Sequence, residues 1–270
     1  MTEWIKVIIL GVIEGLTEFL PISSTRHLIV AAVVLDFQSG LNGTFEIFIQ
    51  LGAVLAVIFY YRRDLWQQVR NIPSDRDTQI FWLGILIAII PAGLLGFLLR
   101  DWIKEVLFTP TVVAISLILG GVIFLLTERR PPPAEEITTE DAEHLTLKQA
   151  VIIGIAQTVA MIPGVSRSGA SIIGGMQAGL TRKAATQFSF YLAIPTLGGA
   201  TLVEFVDVMD QLSANDLGQL LLGMVVSGIV AWLSIDWLLK FVSTNTFVVF
   251  GYYRIVAGLI ILVLVAQGLL

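Results

Sequence analysis

The sequence predicts an all-α polytopic membrane protein with six transmembrane helices and two re-entrant helix hairpins, arranged as an inverted repeat. Three observations predict it. Hydrophobic residues make up 56% of the 270 and charged residues only 14%, with a mean hydropathy of +0.86, whereas a soluble chain carries charge on about a quarter of its positions. Several runs are nearly uncharged over the roughly 20 residues that a hydrocarbon core requires, and they lack the polar stripe of a soluble helix. Two further apolar segments are interrupted by proline, serine and charged residues, and they occupy matching places in the two halves of the chain.

The first interrupted segment runs over about 4–35. A continuous helix through Pro21-Ile22-Ser23-Ser24 is disfavoured because proline lacks the N–H and clashes with the preceding turn. Non-helical backbone at membrane depth survives only inside protein or along a wet cavity, so a helix–turn–helix hairpin is expected. The run contains Glu14 and Glu18 and no small-residue cleavage site; it is expected to stay in the protein, unlike a signal peptide. Spans follow at 45–61, 80–99 and 107–127. From Glu128 to Lys148, Pro131-Pro132-Pro133 and then Glu135, Glu136, Glu140, Asp141 and Glu143 read as a solvated, partly extended linker, about 128–147, with His144 as a surface residue. The second interrupted segment, 148–180, breaks at Pro163-Gly164-Val165-Ser166. Spans at 187–203, 217–240 and 246–268 complete a single membrane domain with halves of about 1–127 and 148–270.

The loops favour one orientation. If neither hairpin crosses, Arg62, Arg63, Arg70, Arg76, Arg129, Arg130, Lys148, Arg182, Lys183 and Lys240 share one side, while the 204–216 loop opposite carries Glu204, Asp207, Asp210 and Asp216 and no Lys or Arg. The basic side is then cytoplasmic, and both termini lie outside. The repeat has residue-level support. Gly11-Val-Ile-Glu14 parallels Gly154-Ile-Ala-Gln157, each followed by a proline and a serine cluster, and Phe45-Glu-Ile-Phe parallels Phe188-Ser-Phe-Tyr. One hairpin and three spans per half give an odd number of crossings, so the halves are inverted, and such repeats place a binding site at their interface. The absence of cysteine excludes disulfides and thiolate chemistry.

Ionisable groups inside membrane segments cost roughly 2.5–3.5 kcal/mol each on insertion. The first hairpin holds Glu14, Glu18, Arg26 and His27, and the second holds Arg167. Glu14 and Glu18 are four apart and project from one helix face; they suit a divalent cation or a shared proton, or else snorkel at the hairpin mouth. Ser23, Ser24 and Thr25 can supply donors to an anion beside the free N–H groups of the next helix. One hydroxyl could be a nucleophile with a base in reach, and His27 is the candidate base. In the second hairpin Arg167 stands between Ser166 and Ser168 and between Gly164 and Gly169, a planar fork that matches phosphate oxygens. Asp236 and Arg254 read as structural charges held by buried polar partners, and Glu46 and Gln50 as the pocket border.

Glu14-Gly-Leu-Thr-Glu18-Phe-Leu-Pro-Ile-Ser-Ser-Thr-Arg-His27 and Pro163-Gly-Val-Ser-Arg-Ser-Gly-Ala-Ser171 resemble the two signature motifs of the bacitracin-resistance family of undecaprenyl-diphosphate phosphatases. The likeness extends to Phe188-Ser-Phe-Tyr-Leu-Ala-Ile-Pro195 and Phe250-Gly-Tyr-Tyr-Arg254. It implies loss of the terminal phosphate from a C55 polyprenyl diphosphate, which recycles the lipid carrier of cell-wall synthesis at the outer face of the bacterial inner membrane, and it implies interdigitated inverted repeats. Carried over by position, the resemblance makes Ser24 the nucleophile, His27 the base and then acid, and Glu18 its orienter or a metal ligand. Arg167 becomes the clamp on the phosphate, Ser23, Thr25, Ser166, Ser168 and Gly164 its binding companions, and Glu14 with Glu18 the site for Mg²⁺ or Ca²⁺. Water activated by the cation, with Ser24 as a donor only, remains a rival. Arg26 departs from the small residue usual at its position; it adds a phosphate contact, crowds the pocket or pairs with Glu18. The expected partners are the lipid and the membrane, with no nucleic acid and with a homodimer left open. A polyprenyl-phosphate transporter using the same pocket is the alternative.

Overall fold

The structure is a computed structural model that describes residues 2–37, 44–130, 134–208 and 214–268. The proline run at 131–133 and Asp210 lie outside the described residues, as do the side chains of Thr25, Arg26, Glu204 and Asp207. Among the described residues there are eleven α-helices and no strand; one isolated bridge pairs Thr139 with Leu180.

Both interruptions fall where the prolines require them. Helix α1 (Glu3–Thr17) stops short of Pro21 and α2 (Ser24–Val34) begins after it; α7 (Leu147–Thr158) tightens into a 3-10 turn at Val159–Met161, and α8 (Arg167–Gln177) starts beyond Pro163. In each pair the two helices pack on one another, which makes each a hairpin. The residue just before the second helix is a serine with positive φ in both, 72° at Ser23 and 29° at Ser166. That backbone region costs a non-glycine residue about 1 kcal/mol or more, so the surrounding contacts must impose it twice.

The six uninterrupted runs are helical: α3 (Thr44–Tyr60), α5 (Arg76–Trp102), α6 (Pro110–Arg129), α9 (Arg182–Val208), α10 (Ala214–Thr244) and α11 (Val248–Ala266). Among the described residues, Arg76–Leu99, Pro110–Arg129, Asp216–Thr244 and Val248–Ala266 are long and apolar enough to cross a membrane. Leu86, Ile90, Phe97, Leu119, Ile229 and Ile260 are exposed along them, an apolar surface suited to lipid rather than water. Two elements were not expected. The polar stretch after α3 forms α4 (Arg62–Asn71), and the short turn after α5 continues it as a π-helical segment, Ile103–Leu107. The linker is also less solvated than its charge implies. His144 is exposed as expected, but Ala142 and Leu145 are buried, because Gln149 in α7 bonds to Thr138, Thr139 and the carbonyl of Ala178 and draws that end of the linker down.

The chain divides into two compact units, each built from both halves of the sequence: Met1–Leu20, Ser24–Val69 and Phe190–Leu238 in one, and Pro21–Ser23, Arg70–Ser189 and Leu239–Leu270 in the other. In the first, Val7, Leu10, Leu28, Phe45, Ile49 and Leu220 form a buried core. A side chain at Gly15 or Gly52 would overlap the carbonyls of Ser227 or Met224, so α10 approaches α1 and α3 at backbone distance. In the second, α6 packs along α11 and α5 along α7. The buried carboxylate of Glu128 accepts from Arg182 Nη2 at 2.5 Å and from the N–H of Phe247 at 2.9 Å, tying the ends of α6, α9 and α11 together.

Candidate active site

The first hairpin places acid groups and a hydroxyl together across its break. Glu14 lies on α1, and Glu18 caps the end of that helix, its N–H donating to the Glu14 carbonyl at 2.9 Å. Ser24 opens α2, and its Oγ donates to Glu18 Oε2. Gln50 Nε2 on α3 donates to the same oxygen at 3.3 Å. Ser23, Ser24, Glu14 and Glu18 are all buried. Both carboxylate oxygens of Glu14 are buried without a hydrogen-bond partner, as is Oε2 of Glu46. An unpartnered buried carboxylate is expensive, so this one needs a cation or a proton. No cluster of three or more His, Cys, Asp or Glu side chains suited to a metal occurs among the described residues. Mg²⁺ usually relies on one or two carboxylates and takes its other ligands from water and phosphate oxygens; Glu14 with Glu18 fits that pattern. His27 follows on α2 and is half-buried.

The second hairpin assembles hydroxyls around a guanidinium. Ser166 caps α8, its Oγ accepting from the N–H of Gly169 at 3.1 Å and lying 3.0 Å from Ser168 Oγ. Arg167 is the first residue of α8 and donates through Nη1 to the carbonyl of Ser189 at 2.8 Å. Ser171 Oγ, one turn on, donates to Ser189 Oγ at 2.7 Å. Ser189 belongs to the aromatic-led segment of α9, whose position in the repeat was noted but whose contact with Arg167 was not. A carbonyl acceptor leaves no mark in a sequence. Gly164 has a φ of 98°, and a Cβ there would lie 2.7 Å from the carbonyl of Val113, so its lack of a side chain is demanded by turn and packing alike. Gln157, the repeat counterpart of Glu14, is also buried, with its Oε1 unpartnered.

Arg254 is held by buried polar partners, as expected, but the identity of those partners was not legible. They are two backbone carbonyls, Pro21 at 3.1 Å and Gly164 at 3.0 Å. Asp236 accepts a long hydrogen bond, 3.4 Å, from the hydroxyl of Tyr60.

Interrupted hairpins lined with hydroxyls, carboxylates and a guanidinium, in a chain with several membrane-length apolar helices, define a class: a multi-pass membrane protein that handles an anionic group. The particular family follows from comparison with known proteins. Residues 7–260 match the family described as bacitracin resistance protein BacA, and the chain belongs to that family. It is 48% identical to an undecaprenyl-diphosphatase of Deinococcus radiodurans over 99% of this chain and 97% of that one. It is similar in the same degree to enzymes of that name from Albidiferax ferrireducens, 49% identical over 98% and 96% of the two chains, and from Acinetobacter baumannii, 48% over 97% and 95%.

Proposed function

We propose that this protein hydrolyses undecaprenyl diphosphate to undecaprenyl phosphate and inorganic phosphate, and so returns the lipid carrier to peptidoglycan synthesis. The observation that carries the reading is the hydrogen bond from Ser24 Oγ to Glu18, a hydroxyl paired with a base at the mouth of a helix break. The relatives' names supply the substrate.

In this mechanism Ser24 Oγ attacks the terminal phosphorus and its proton passes to Glu18, the carboxylate it already meets, rather than to His27, the base expected from the sequence. The bond from that phosphorus to the bridging oxygen breaks, and undecaprenyl phosphate departs with the bridging oxygen. Water then attacks the phosphoserine and gives its proton to His27, the bond from phosphorus to the Ser24 oxygen breaks, and Glu18 returns its proton to that oxygen as inorganic phosphate leaves. Arg167 holds the non-bridging oxygens, with Ser23, Thr25, Ser166 and Ser168 as further donors. Phosphoryl transfer asks chiefly for such positioning and for charge neutralisation. Glu14 and Glu18 would hold Mg²⁺ or Ca²⁺, which supplies positive charge to the diphosphate oxygens.

The same proposal takes α3, α5, α6, α9, α10 and α11 as six spans and the two hairpins as re-entrant, in the bacterial inner membrane with the site open to the outside. Inverted hairpins of this kind bring half-helix N-termini towards an anion at mid-membrane, which is what a lipid diphosphate requires. The nucleophile is tested by quenching a single turnover of terminally labelled substrate within milliseconds. Label on Ser24 is the expected result; unlabelled protein throughout turnover would transfer the attack to water.

A further inference from the structure

Among the described residues, the most deeply buried cation that the mechanism does not use is Arg254. Arg254 on α11 is 1% exposed, and a guanidinium inside a membrane-length apolar helix is costly to insert unless its donors are met. Its two hydrogen bonds reach the carbonyls of Pro21 and Gly164. Those positions correspond. Each lies two residues before the positive-φ serine of its hairpin, Ser23 or Ser166, and each of those serines immediately precedes the second helix. The residues that open those helices are Ser24 and Arg167. The pocket for the guanidinium is shaped for it: the Phe124 ring centroid lies 5.9 Å from Cζ, and any side chain at Gly120 would overlap the guanidinium.

We propose that Arg254 is a positioning residue that spans the two hairpin breaks with one planar fork and sets their register. The planar geometry of the fork suits two fixed acceptors, which a single ammonium matches less well. By fixing both turns from one point, Arg254 holds the helix starts that present Ser24 and Arg167. The kinetic part of the proposal rests on the phosphatase reading above; the structural part does not.

The test uses full-length Arg254→Met, Arg254→Lys and Gly120→Ala proteins in detergent, with hydrogen exchange measured over residues 22–27 and 164–169 beside phosphate release from undecaprenyl diphosphate. In Arg254→Met both segments should lose protection together. Its kcat per folded molecule should fall about a hundredfold, the scale of a 1 Å misplacement, with KM within about threefold of the wild type. Arg254→Lys should regain part of the protection and part of the rate. Gly120→Ala, which keeps the guanidinium but crowds it, should loosen both segments to a lesser degree. Protection unchanged in both segments, or lost in one alone, overturns the proposal, as does a rate that falls only in proportion to unfolded protein. If Arg254→Met does not fold, Arg254→Lys and Gly120→Ala decide by the same criteria. A wild type that releases no phosphate would refute the phosphatase reading, and the exchange measurement would still decide the role of Arg254.

Discussion

Ser24 meets Glu18 because α1 and α2 fold back at Pro21, so a carboxylate six residues upstream becomes a hydrogen-bond partner. The residue types announced a shared polar site, since two glutamates four apart, then a proline and three hydroxyls, cannot sit in lipid without one; they did not announce this pairing, for the base expected beside Ser24 was His27. The guanidinium of Arg167 was legible for the same reason. Its anchoring on Ser189, like the anchoring of Arg254 on two carbonyls, was not, since backbone acceptors are common to every residue. Two predictions belong here. Arg167→Ala should lower kcat about a hundredfold or more, the cost of removing one preorganised donor from developing charge, as read from phosphate release. A rate within twofold of wild type, about 0.4 kcal/mol, would remove Arg167 from the reaction. For the unpartnered carboxylate of Glu14, a chelator should abolish turnover and Mg²⁺ restore it. Glu14→Gln should raise the Mg²⁺ concentration for half-activity by roughly tenfold, about 1.4 kcal/mol of binding. Full activity in excess chelator would mean instead that the two glutamates share a proton.

Hydrophobic runs interrupted by proline made the helices and the two breaks readable before any coordinates. What the runs could not show was α4, a ten-residue helix so polar that Leu65, Trp66 and Val69 are its only apolar residues. Nor could they show that Ala142 and Leu145 anchor a linker dominated by acidic residues. Helix termini offer the test at this scale. Ser166 caps α8 through the N–H of Gly169, and loss of such a cap costs about 1 kcal/mol. Ser166→Ala should therefore lower the thermal midpoint in detergent, while Ser166→Gly, which relaxes the φ of 29°, should lower it less. Equal losses would mean that the strain is negligible. Elsewhere in the second unit, Asp75 accepts from the N–H of Thr78 at 2.9 Å and from its hydroxyl at 2.5 Å. These bonds hold its carboxyl below the ordinary carboxylate range. The stabilisation they give is complete above the ordinary carboxylate pKa and is lost as pH falls through the lowered one. Asp75→Asn should flatten the acid limb of thermal stability, and an unchanged limb would show that the cap contributes nothing there.

At the scale of the molecule, the two compact units each draw on both halves of the chain, an arrangement no local pattern could announce because it depends on how distant segments pair; the expectation of interdigitated repeats came from the family resemblance alone. Topology is the testable consequence of the proposed six spans and two re-entrant hairpins. The chain has no cysteine, so single cysteines report sidedness without background. Cysteines replacing Ser74, Glu143, Lys183 and Asn245 should all label from the cytoplasmic side of sealed vesicles, and one replacing Glu105 from the other. If Glu143 and Lys183 labelled from opposite sides, the second hairpin would cross the membrane and the inverted repeat would fail.

The most direct measurement is an experimental structure with a non-hydrolysable lipid diphosphate bound. One terminal phosphate should lie within hydrogen-bond reach of both Ser24 Oγ and the Arg167 guanidinium, with His27 facing the same phosphorus. A phosphate gripped by one hairpin while packed aliphatic side chains separate it from the other would contradict the account.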